Sequence, residues 1–269
     1  MNKEEYFAKI KSYKYIANKS LGQNFLIDSN VAQNIVESLD ANNDDKVLEI
    51  GGGLGSLSYF LNKKDINSVV IDVDDRMISY LQENLKESEH FVIKRENVLK
   101  CDLSSYTKII GNLPYYITSG VLEYALLNAI NANKFVFMVQ KEVYQKLVDK
   151  KEISPLNLLH RYVGEISSSL TVNRNSFTPV PHVDSCYFSF IPNTNIKNEN
   201  NKDLYKLMVN LFLYRRKTIL NSLTNLLKDK NLALDILNEL KVDTLKRCEQ
   251  LDINFYISLL NILKDKSIF

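Results

Sequence analysis

Short apolar runs alternate with helical patterns over the first two thirds of the chain, and this alternation predicts an α/β fold. Runs rich in β-branched or aromatic residues predict strands at 47–51, 69–74, 91–95, 108–112, 134–140, 169–172 and 184–191. Apolar residues at helical spacing predict helices between most of them, at 29–39, 75–85, 118–129 and 141–148. Near-continuous apolar strands separated by helices indicate a mostly parallel sheet covered on both faces. The last two strands have no clear helix between them, so we expect an antiparallel hairpin at one edge.

The pattern changes after Pro192, where residues 193–203 are polar and resemble a linker. Beyond this linker only helical periodicity remains, and it predicts helices at 204–213, 217–227, 232–240 and 253–263. We therefore predict two domains: an α/β domain at 1–195, which begins with a basic N-terminal lead at 1–23, and a small all-helical domain at 196–269.

Composition excludes several classes of protein. The chain has 269 residues, of which 45% are hydrophobic and 25% charged, as in ordinary globular proteins. No apolar run approaches the roughly 20 residues that cross a bilayer, and the first 20 residues hold no apolar stretch typical of a secretory signal. The three cysteines are far apart and no local His or Cys spacing suits a metal. We expect a cytoplasmic protein with reduced thiols, no membrane association and no metal.

The small net charge of +2 is unevenly distributed along the chain. Residues 1–23 carry a net charge of +3, residues 24–200 carry −5, and residues 201–269 carry +4. Basic ends on an acidic centre suit a polyanionic partner held by the periphery, although a solvated, solubilising surface would show the same charges.

A glycine-rich segment, Glu-Ile-Gly-Gly-Gly-Leu-Gly at 49–55, directly follows the first predicted strand and precedes a helix. Glycines there permit a tight turn in which backbone N–H groups approach a ligand, and Asp72 at the end of the next strand could accept hydrogen bonds from ribose hydroxyls. A dinucleotide fingerprint would have Gly or Ala where Ser56 stands. The acidic Glu49 also suits a cationic cofactor better than a pyrophosphate. The segment instead resembles motif I of methyltransferases that use S-adenosylmethionine (SAM).

A second motif, Asn112-Leu113-Pro114-Tyr115, follows the fourth predicted strand. Ligands of open parallel sheets bind at the carboxyl ends of the strands, so this loop should face the turn formed by the glycine-rich residues 51–55, here called the glycine turn. The N6 amine of adenine is a poor nucleophile because its lone pair is delocalised into the ring. The Asn112 side-chain oxygen, together with a backbone carbonyl, could accept both N6 hydrogens and favour a pyramidal nitrogen. Pro114 restricts the loop, and Tyr115 could stack on an extruded base.

Six segments occur in the order found in KsgA-type ribosomal RNA adenine dimethyltransferases, which the chain resembles over residues 20–263. They are GQNFL (22–26), EIGGGLG (49–55), GNLPYYIT (111–118), MVQKEV (138–143), SFTPVPHVDS (176–185) and YRRKTILNSL (214–223). The resemblance implies a class I SAM-dependent methyltransferase, with a Rossmann-like, mostly parallel seven-stranded sheet and a small helical C-terminal domain.

The resemblance also implies roles for particular residues. The cofactor SAM would be contacted by the residues directly after the N-terminal lead, by the glycine turn and by the strand ends, through Asn24, Leu26, Gly51, Gly53, Asp72, Asn97 and Asn112. The reaction would be carried by the 112–115 loop and an aromatic partner, namely Asn112, Leu113, Pro114, Tyr115 and Phe177, with Tyr115 and Phe177 enclosing the flipped adenine. Ribosomal RNA would meet the helical domain through Arg215, Arg216 and Lys217.

The sequence departs from the family pattern at three places. Asn97 stands where the family often has Asp, although its side-chain oxygen can still accept a hydrogen bond from the cofactor adenine. Ser154-Pro155 replaces a Tyr-Gly pair, so a different loop shape is expected there. Leu220 replaces a frequent Arg, which removes one candidate phosphate contact.

The expected function is transfer of methyl groups from SAM to N6 of two adjacent adenines in the 3′-terminal hairpin of 16S rRNA during ribosome biogenesis. The partner would be the small ribosomal subunit, the protein would be a monomer, and the displacement would be direct. One alternative is an Erm-type enzyme that modifies 23S rRNA, although residues 183–185 and 215–218 favour the small-subunit class. Another is a non-catalytic RNA-binding assembly factor. A DNA adenine methyltransferase would usually have Pro where Leu113 stands, and a target-recognition domain.

Overall fold

The structure, a computed structural model, describes residues 1–13, 23–64, 66–151 and 153–269. Residues 14–22, which belong to the predicted basic lead and include the first glycine of the 22–26 motif, lie outside the described residues. The strands in the described part are β1 (Phe25–Leu26), β2 (Val47–Ile50), β3 (Ser68–Asp72), β4 (Phe91–Arg95), β5 (Lys108–Asn112), β6 (Lys134–Gln140), β7 (Gly164–Val172), β8 (Phe177–Thr178) and β9 (Ser185–Pro192).

Helices connect most of these strands and continue to the C-terminus. In the described residues they are α1 (Lys3–Ser12), α2 (Ser29–Ser38), α3 (Ser58–Lys64), α4 (Asp75–Asn84), α5 (Thr118–Asn128), α6 (Lys141–Val148), α7 (Pro155–Val163), α8 (Asn201–Phe212), α9 (Ile219–Leu227), α10 (Lys230–Glu239) and α11 (Ile253–Asp265). The predicted lead therefore contains a helix. Asn2 caps α1, because its side chain accepts a hydrogen bond from the Glu5 backbone while the Glu5 side chain accepts one from the Asn2 backbone.

The main sheet has seven strands in the order β4-β3-β2-β5-β6-β9-β7. The first five of these are parallel, whereas β9 runs antiparallel to both β6 and β7. Strands such as β2 are buried along their whole length, as expected for a parallel sheet with both faces covered. The mostly parallel seven-stranded sheet and the antiparallel edge predicted from sequence are confirmed.

The order of the strands determines where a ligand can bind. The chain leaves β2 toward β3 and β4 on one side and returns to β5 on the other, so β2 lies at the switch point of the sheet. The glycine turn follows β2, Asp72 ends β3, Asn97 lies two residues after β4, and Asn112 ends β5. These segments therefore share the carboxyl edge of the sheet.

By residue contacts the chain divides into two units: residues 1–144 with 164–193, and residues 145–163 with 194–269. The second unit starts again at 194, close to the predicted boundary after 195, but it also includes α7, which the sequence prediction had placed in the first domain. The apolar face of α7 explains this difference, because its buried side chains pack on α8 and α11. Ser154 and Pro155, the departure from the family pattern, begin this helix: Ser154 Oγ accepts a hydrogen bond from the Asn157 backbone, and Pro155 occupies the first turn.

The second unit has a core of its own, built from leucines of α8, α10 and α11. Arg215, Arg216 and Lys217 are exposed in the turn between α8 and α9. The sequence prediction started the second of these helices at residue 217, but Thr218 caps α9 by accepting a hydrogen bond from the Asn221 backbone. Among the described residues, no helix has the length and apolarity to span a bilayer.

Candidate active site

A cavity of about 310 Å³ opens at the carboxyl edge of the parallel strands, within the first unit. This volume lies in the range of small-molecule sites. The walls are formed by the segment 23–26, the glycine turn, the end of β3, the residues after β4 and the loop after β5. They bring together most of the predicted site residues: Asn24, Leu26, Gly51, Gly53, Asp72, Asn97, Asn112, Leu113, Pro114 and Tyr115.

Glycine is required in the turn after β2 for steric reasons. Gly51 and Gly53 have φ values of +75° and +54°, which residues with a side chain adopt only with backbone strain. A Cβ at Gly53 would lie 3.2 Å from the ring of Phe25 in β1, so the segment 23–26 packs directly on the turn. The backbone N–H of Gly51 donates to Ile71 O at 2.8 Å, which joins the turn to β3.

Asp72 lines the cavity and is held by backbone N–H groups. Its Oδ2 accepts a hydrogen bond from Gly53 N and its Oδ1 accepts one from Asp74 N, each at 2.9 Å. Burial raises the pKa of this carboxyl above its ordinary value. Because a carboxylate oxygen can accept more than one hydrogen bond, both oxygens can still accept from vicinal hydroxyls.

Glu49 lies inside the sheet, with 1% of its surface exposed, and its Oε2 has no hydrogen-bond partner among the described residues. Burial raises its pKa from 4.5 to about 8, and the charge of Asp72 acts in the same direction. A buried carboxyl beside a cavity, with one oxygen that has no partner, attracts a positively charged ligand, since the ligand would compensate the ionised form. The site therefore fits the cationic cofactor that the resemblance implies.

Asn97 lines the cavity on the side of β4. Its Oδ1 accepts a hydrogen bond from Leu99 N at 3.0 Å and so begins a short 3-10 helix at Val98–Lys100. Its amide can still donate, and its oxygen retains a second acceptor position. Val73 and Leu99 also line the cavity and leave apolar surface exposed there, which suits contact with an aromatic ring.

The Asn112 side chain is oriented by the N-terminal segment. Its Nδ2 donates to Asn24 O at 3.1 Å. A carbonyl oxygen can only accept, so this contact determines that the Oδ1 end of the amide points away from Asn24 and remains an acceptor. Two hydrogen bonds join the loop that follows to the start of α5, because Pro114 O accepts from Ile117 N and from the Thr118 hydroxyl.

The two predicted stacking residues differ in their surroundings. Tyr115 lines the cavity, and its hydroxyl lies 2.9 Å from Ser185 Oγ. Phe177 is buried with 1% of its surface exposed, belongs to the hydrophobic core and does not line the cavity. It pairs with Leu26 in the two-stranded β1–β8 sheet, which connects the segment 23–26 to the 176–185 motif.

Sequence reasoning missed several residues that shape the site. Ser56 counted only as a mismatch to the dinucleotide fingerprint, yet its hydroxyl donates to Leu26 O. Gln23 donates to Asp74 Oδ2 at 3.1 Å, and Tyr116 lines the cavity with 51% of its surface exposed. Their positions next to predicted site residues were the only available signal. In the described part of the chain, no three His, Cys, Asp or Glu side chains cluster as metal ligands would.

Comparison with known proteins gives consistent matches. The family model described as ribosomal RNA adenine dimethylase matches residues 15–265. A relative from Mycoplasma capricolum, named ribosomal RNA small subunit methyltransferase A, is 37% identical over 92% of this chain and 97% of its own. A dimethyladenosine transferase structure from Plasmodium falciparum has 25% identity and a TM-score of 0.73, covering 90% of this chain and 98% of its own. The 23S rRNA methyltransferase ErmE, at 21% identity and a TM-score of 0.63, covers 89% of this chain and 99% of its own and shows the same fold.

Proposed function

The chain belongs to the ribosomal RNA adenine dimethylase family, and we propose on that premise that it dimethylates N6 of adenine in small-subunit ribosomal RNA, with SAM as the methyl donor. The observation that carries the proposal is the orientation of Asn112. Its Nδ2 is engaged by Asn24 O, so its Oδ1 is available beside the glycine turn to accept a hydrogen from an amine.

The residues of the cavity supply complementary groups for each part of the cofactor. Asp72 would accept hydrogen bonds from the ribose hydroxyls, and Asn97 would contact the adenine between Val73 and Leu99. Glu49 and the N–H groups of the glycine turn would face the charged methionine portion. When bound, SAM supplies a methyl group on a positively charged sulfur, which a nitrogen lone pair can attack in line.

Catalysis would rest on positioning of the target amine. Asn112 Oδ1 would accept one N6 hydrogen and thereby favour a pyramidal nitrogen whose lone pair faces the methyl group. As the N–C bond formed and the C–S bond broke, positive charge would develop on N6 and strengthen its hydrogen bond to Asn112. The electron pair of the C–S bond would stay on sulfur, and the N6 proton would leave to solvent. Tyr115 would stack on the flipped base.

The finer substrate assignment is the 3′-terminal hairpin of 16S rRNA, with two adjacent adenines that each receive two methyl groups. The Mycoplasma relative is named for the small subunit and shares 37% identity, whereas the 23S-specific structure shares 21% and supports the fold alone. Arg215, Arg216 and Lys217 are exposed in a single turn and would contact RNA phosphates.

Parallel methyl-transfer assays test this function directly. The purified protein, with labelled SAM, is given unmethylated small subunits, protein-free 16S rRNA and large subunits, and modified adenines are mapped by mass spectrometry. We expect dimethylated adenines in small subunits and little or no product on large subunits. Labelling of large subunits with none on small ones would overturn the assignment and favour the 23S-specific class.

A further inference from the structure

We propose that helix α1 acts as a strap on the glycine turn and that Tyr6 is a positioning residue for the cofactor. This inference rests on the proposed use of SAM. Tyr6 does not line the cavity, so it would act through the backbone of the turn and not by touching the ligand.

The central contact joins a side chain of α1 to the backbone of the turn. Tyr6 is fully buried, and its hydroxyl donates to Leu54 O at 3.0 Å. Leu54 itself lines the cavity. The Tyr6 ring also packs on Tyr59 of α3, with a centroid distance of 4.7 Å. One residue therefore holds both the turn and the helix that follows it.

Gly55 shows that the strap and the turn are sterically matched. Its φ is +80°, and a Cβ at this position would overlap the Tyr6 hydroxyl oxygen and approach Leu81 Cδ2 to 2.9 Å. The glycine is therefore needed for its positive φ and for the close approach of both Tyr6 and Leu81. The contact with Tyr6, the tighter of the two, exists only because α1 packs there.

Other contacts hold α1 against the two helices next to the cavity. Phe7 packs on Phe60 of α3 at a centroid distance of 5.9 Å, and Ile10 is fully buried. Lys9 donates to Asn84 Oδ1 at the end of α4, and its ammonium lies 5.9 Å from the ring centroid of Tyr80. Because α3 follows the glycine turn and α4 follows Asp72, α1 connects the two segments that carry the cofactor contacts.

This arrangement has a consequence for binding. A turn with three glycines at positive φ has many accessible conformations and loses entropy when it closes on a ligand. A strap that fixes Leu54 O restricts the turn before the ligand arrives, which increases affinity through preorganisation. Without the Tyr6 hydroxyl, the Leu54 carbonyl loses its partner and the turn regains freedom.

The test compares Tyr6→Phe with two controls in the full-length protein. Tyr80→Phe also removes a buried hydroxyl, but one that has no hydrogen-bond partner among the described residues. Ile10→Val removes one methyl group from the same helix at a position away from the turn. Its effect measures the general loss of packing around α1. Calorimetry with SAM gives Kd, methyl-transfer kinetics give KM for SAM and kcat, and thermal unfolding gives Tm.

We expect Tyr6→Phe to raise Kd and KM for SAM by about fivefold, the effect of losing one buried hydrogen bond, with kcat unchanged. Both controls should keep the wild-type Kd, even where Ile10→Val lowers Tm as much as Tyr6→Phe does. A Gly55→Ala substitution should cost less affinity in the Tyr6→Phe background than in the wild type, because the overlap with the hydroxyl is gone.

An unchanged Kd in Tyr6→Phe would overturn the strap while leaving the proposed function intact, provided that the wild type binds SAM. An equal rise of Kd in Ile10→Val would also overturn it, since a merely structural role would then suffice. A wild-type protein with no affinity for SAM would overturn the proposed function, and this inference with it.

Discussion

Glu49 keeps a carboxyl group inside a parallel sheet, where water cannot solvate its charge. With a pKa of about 8 in the folded protein, against an ordinary value of 4.5, it binds a proton near pH 7 that the unfolded chain does not. Its contribution to stability therefore falls as pH rises from about 4.5 to about 8. A cationic ligand would reverse this preference, because the ionised carboxylate would then be paired.

The affinity for SAM should depend on pH, because binding would displace the proton of Glu49. Between about pH 6 and pH 8 the affinity should rise with pH, by at most about tenfold per unit, and level off above pH 8. Calorimetry at pH 7 in buffers of different ionisation enthalpy should show release of about one proton in the wild type and much less in Glu49→Gln.

Asp72 and Tyr6 also face the Glu49 carboxyl. Asp72→Asn removes the other carboxyl and so shows how much of the released proton comes from Asp72, and equal release in wild type and Glu49→Gln would contradict the prediction.

Asp72 should be required for cofactor binding. Asp72→Ala removes the acceptors proposed for two ribose hydroxyls and should weaken SAM binding by about tenfold or more. The exposed Asp75, which pairs with Arg95, offers a matched control, because Asp75→Ala should leave SAM affinity unchanged. Unchanged affinity in a folded Asp72→Ala protein would remove Asp72 from the site.

Asn112 should act in the transition state more than in binding. Asn112→Ala should lower the single-turnover rate of methyl transfer by about a hundredfold or more, as for loss of a catalytic hydrogen bond, with SAM affinity changed only a few fold. Asn128→Ala in α5 removes a local amide contact to Tyr124 O and should leave the rate unchanged. A near-normal rate in Asn112→Ala would refute its role.

At the level of elements, the β1–β8 pair decides what Phe177 can do. The family resemblance implies that Phe177 and Tyr115 enclose the flipped adenine. In the structure Phe177 packs in the core and only Tyr115 lines the cavity, so the two rings experience different environments. Enclosure by Phe177 remains a prediction that requires movement of this ring.

Substitution should separate the two aromatic residues. Phe177→Ala should lower the free energy of unfolding by about 3–5 kcal/mol, as expected when a buried ring leaves a cavity. Tyr115→Ala should instead raise KM for the RNA substrate, since one base-stacking contact is worth about 1–3 kcal/mol. Denaturant unfolding and steady-state kinetics measure the two effects. A Phe177→Ala protein as stable as the wild type would contradict the packing described above.

At the scale of the whole molecule, charge is concentrated where RNA contacts are proposed. The second unit contains all of residues 201–269, which carry a net charge of +4, and its 215–217 turn is exposed. The cytoplasmic location and the monomeric state remain predictions from sequence.

Replacing Arg215, Arg216 and Lys217 together with Ala should weaken binding to small subunits and leave SAM affinity unchanged. The slope of log affinity against log salt should fall by about 2 to 3, as expected for the loss of three phosphate contacts. A triple Ala variant of Lys228, Lys230 and Lys241, which are exposed in the same unit, is the matched control. Equal slopes for the two triple variants would mean that the 215–217 turn has no special role.

The sequence by itself determined the succession of strands and helices along the α/β part of the chain, the glycine turn and the positions of Asp72 and Asn112. These features depend on local periodicity and on backbone freedom at glycine, and parallel strands place their carboxyl ends together whatever the packing details. It also indicated the acidic character of Glu49, but not that its Oε2 lacks a partner.

Only the tertiary structure decided the rest. The apolar face of α7 packs on α8 and α11, Phe177 is covered by the core, and Tyr6 reaches Leu54 across 48 positions of the chain. Each of these outcomes depends on which distant side chains fill the space beside a residue. Local patterns of polar and apolar residues do not encode that information, because many packings satisfy the same pattern.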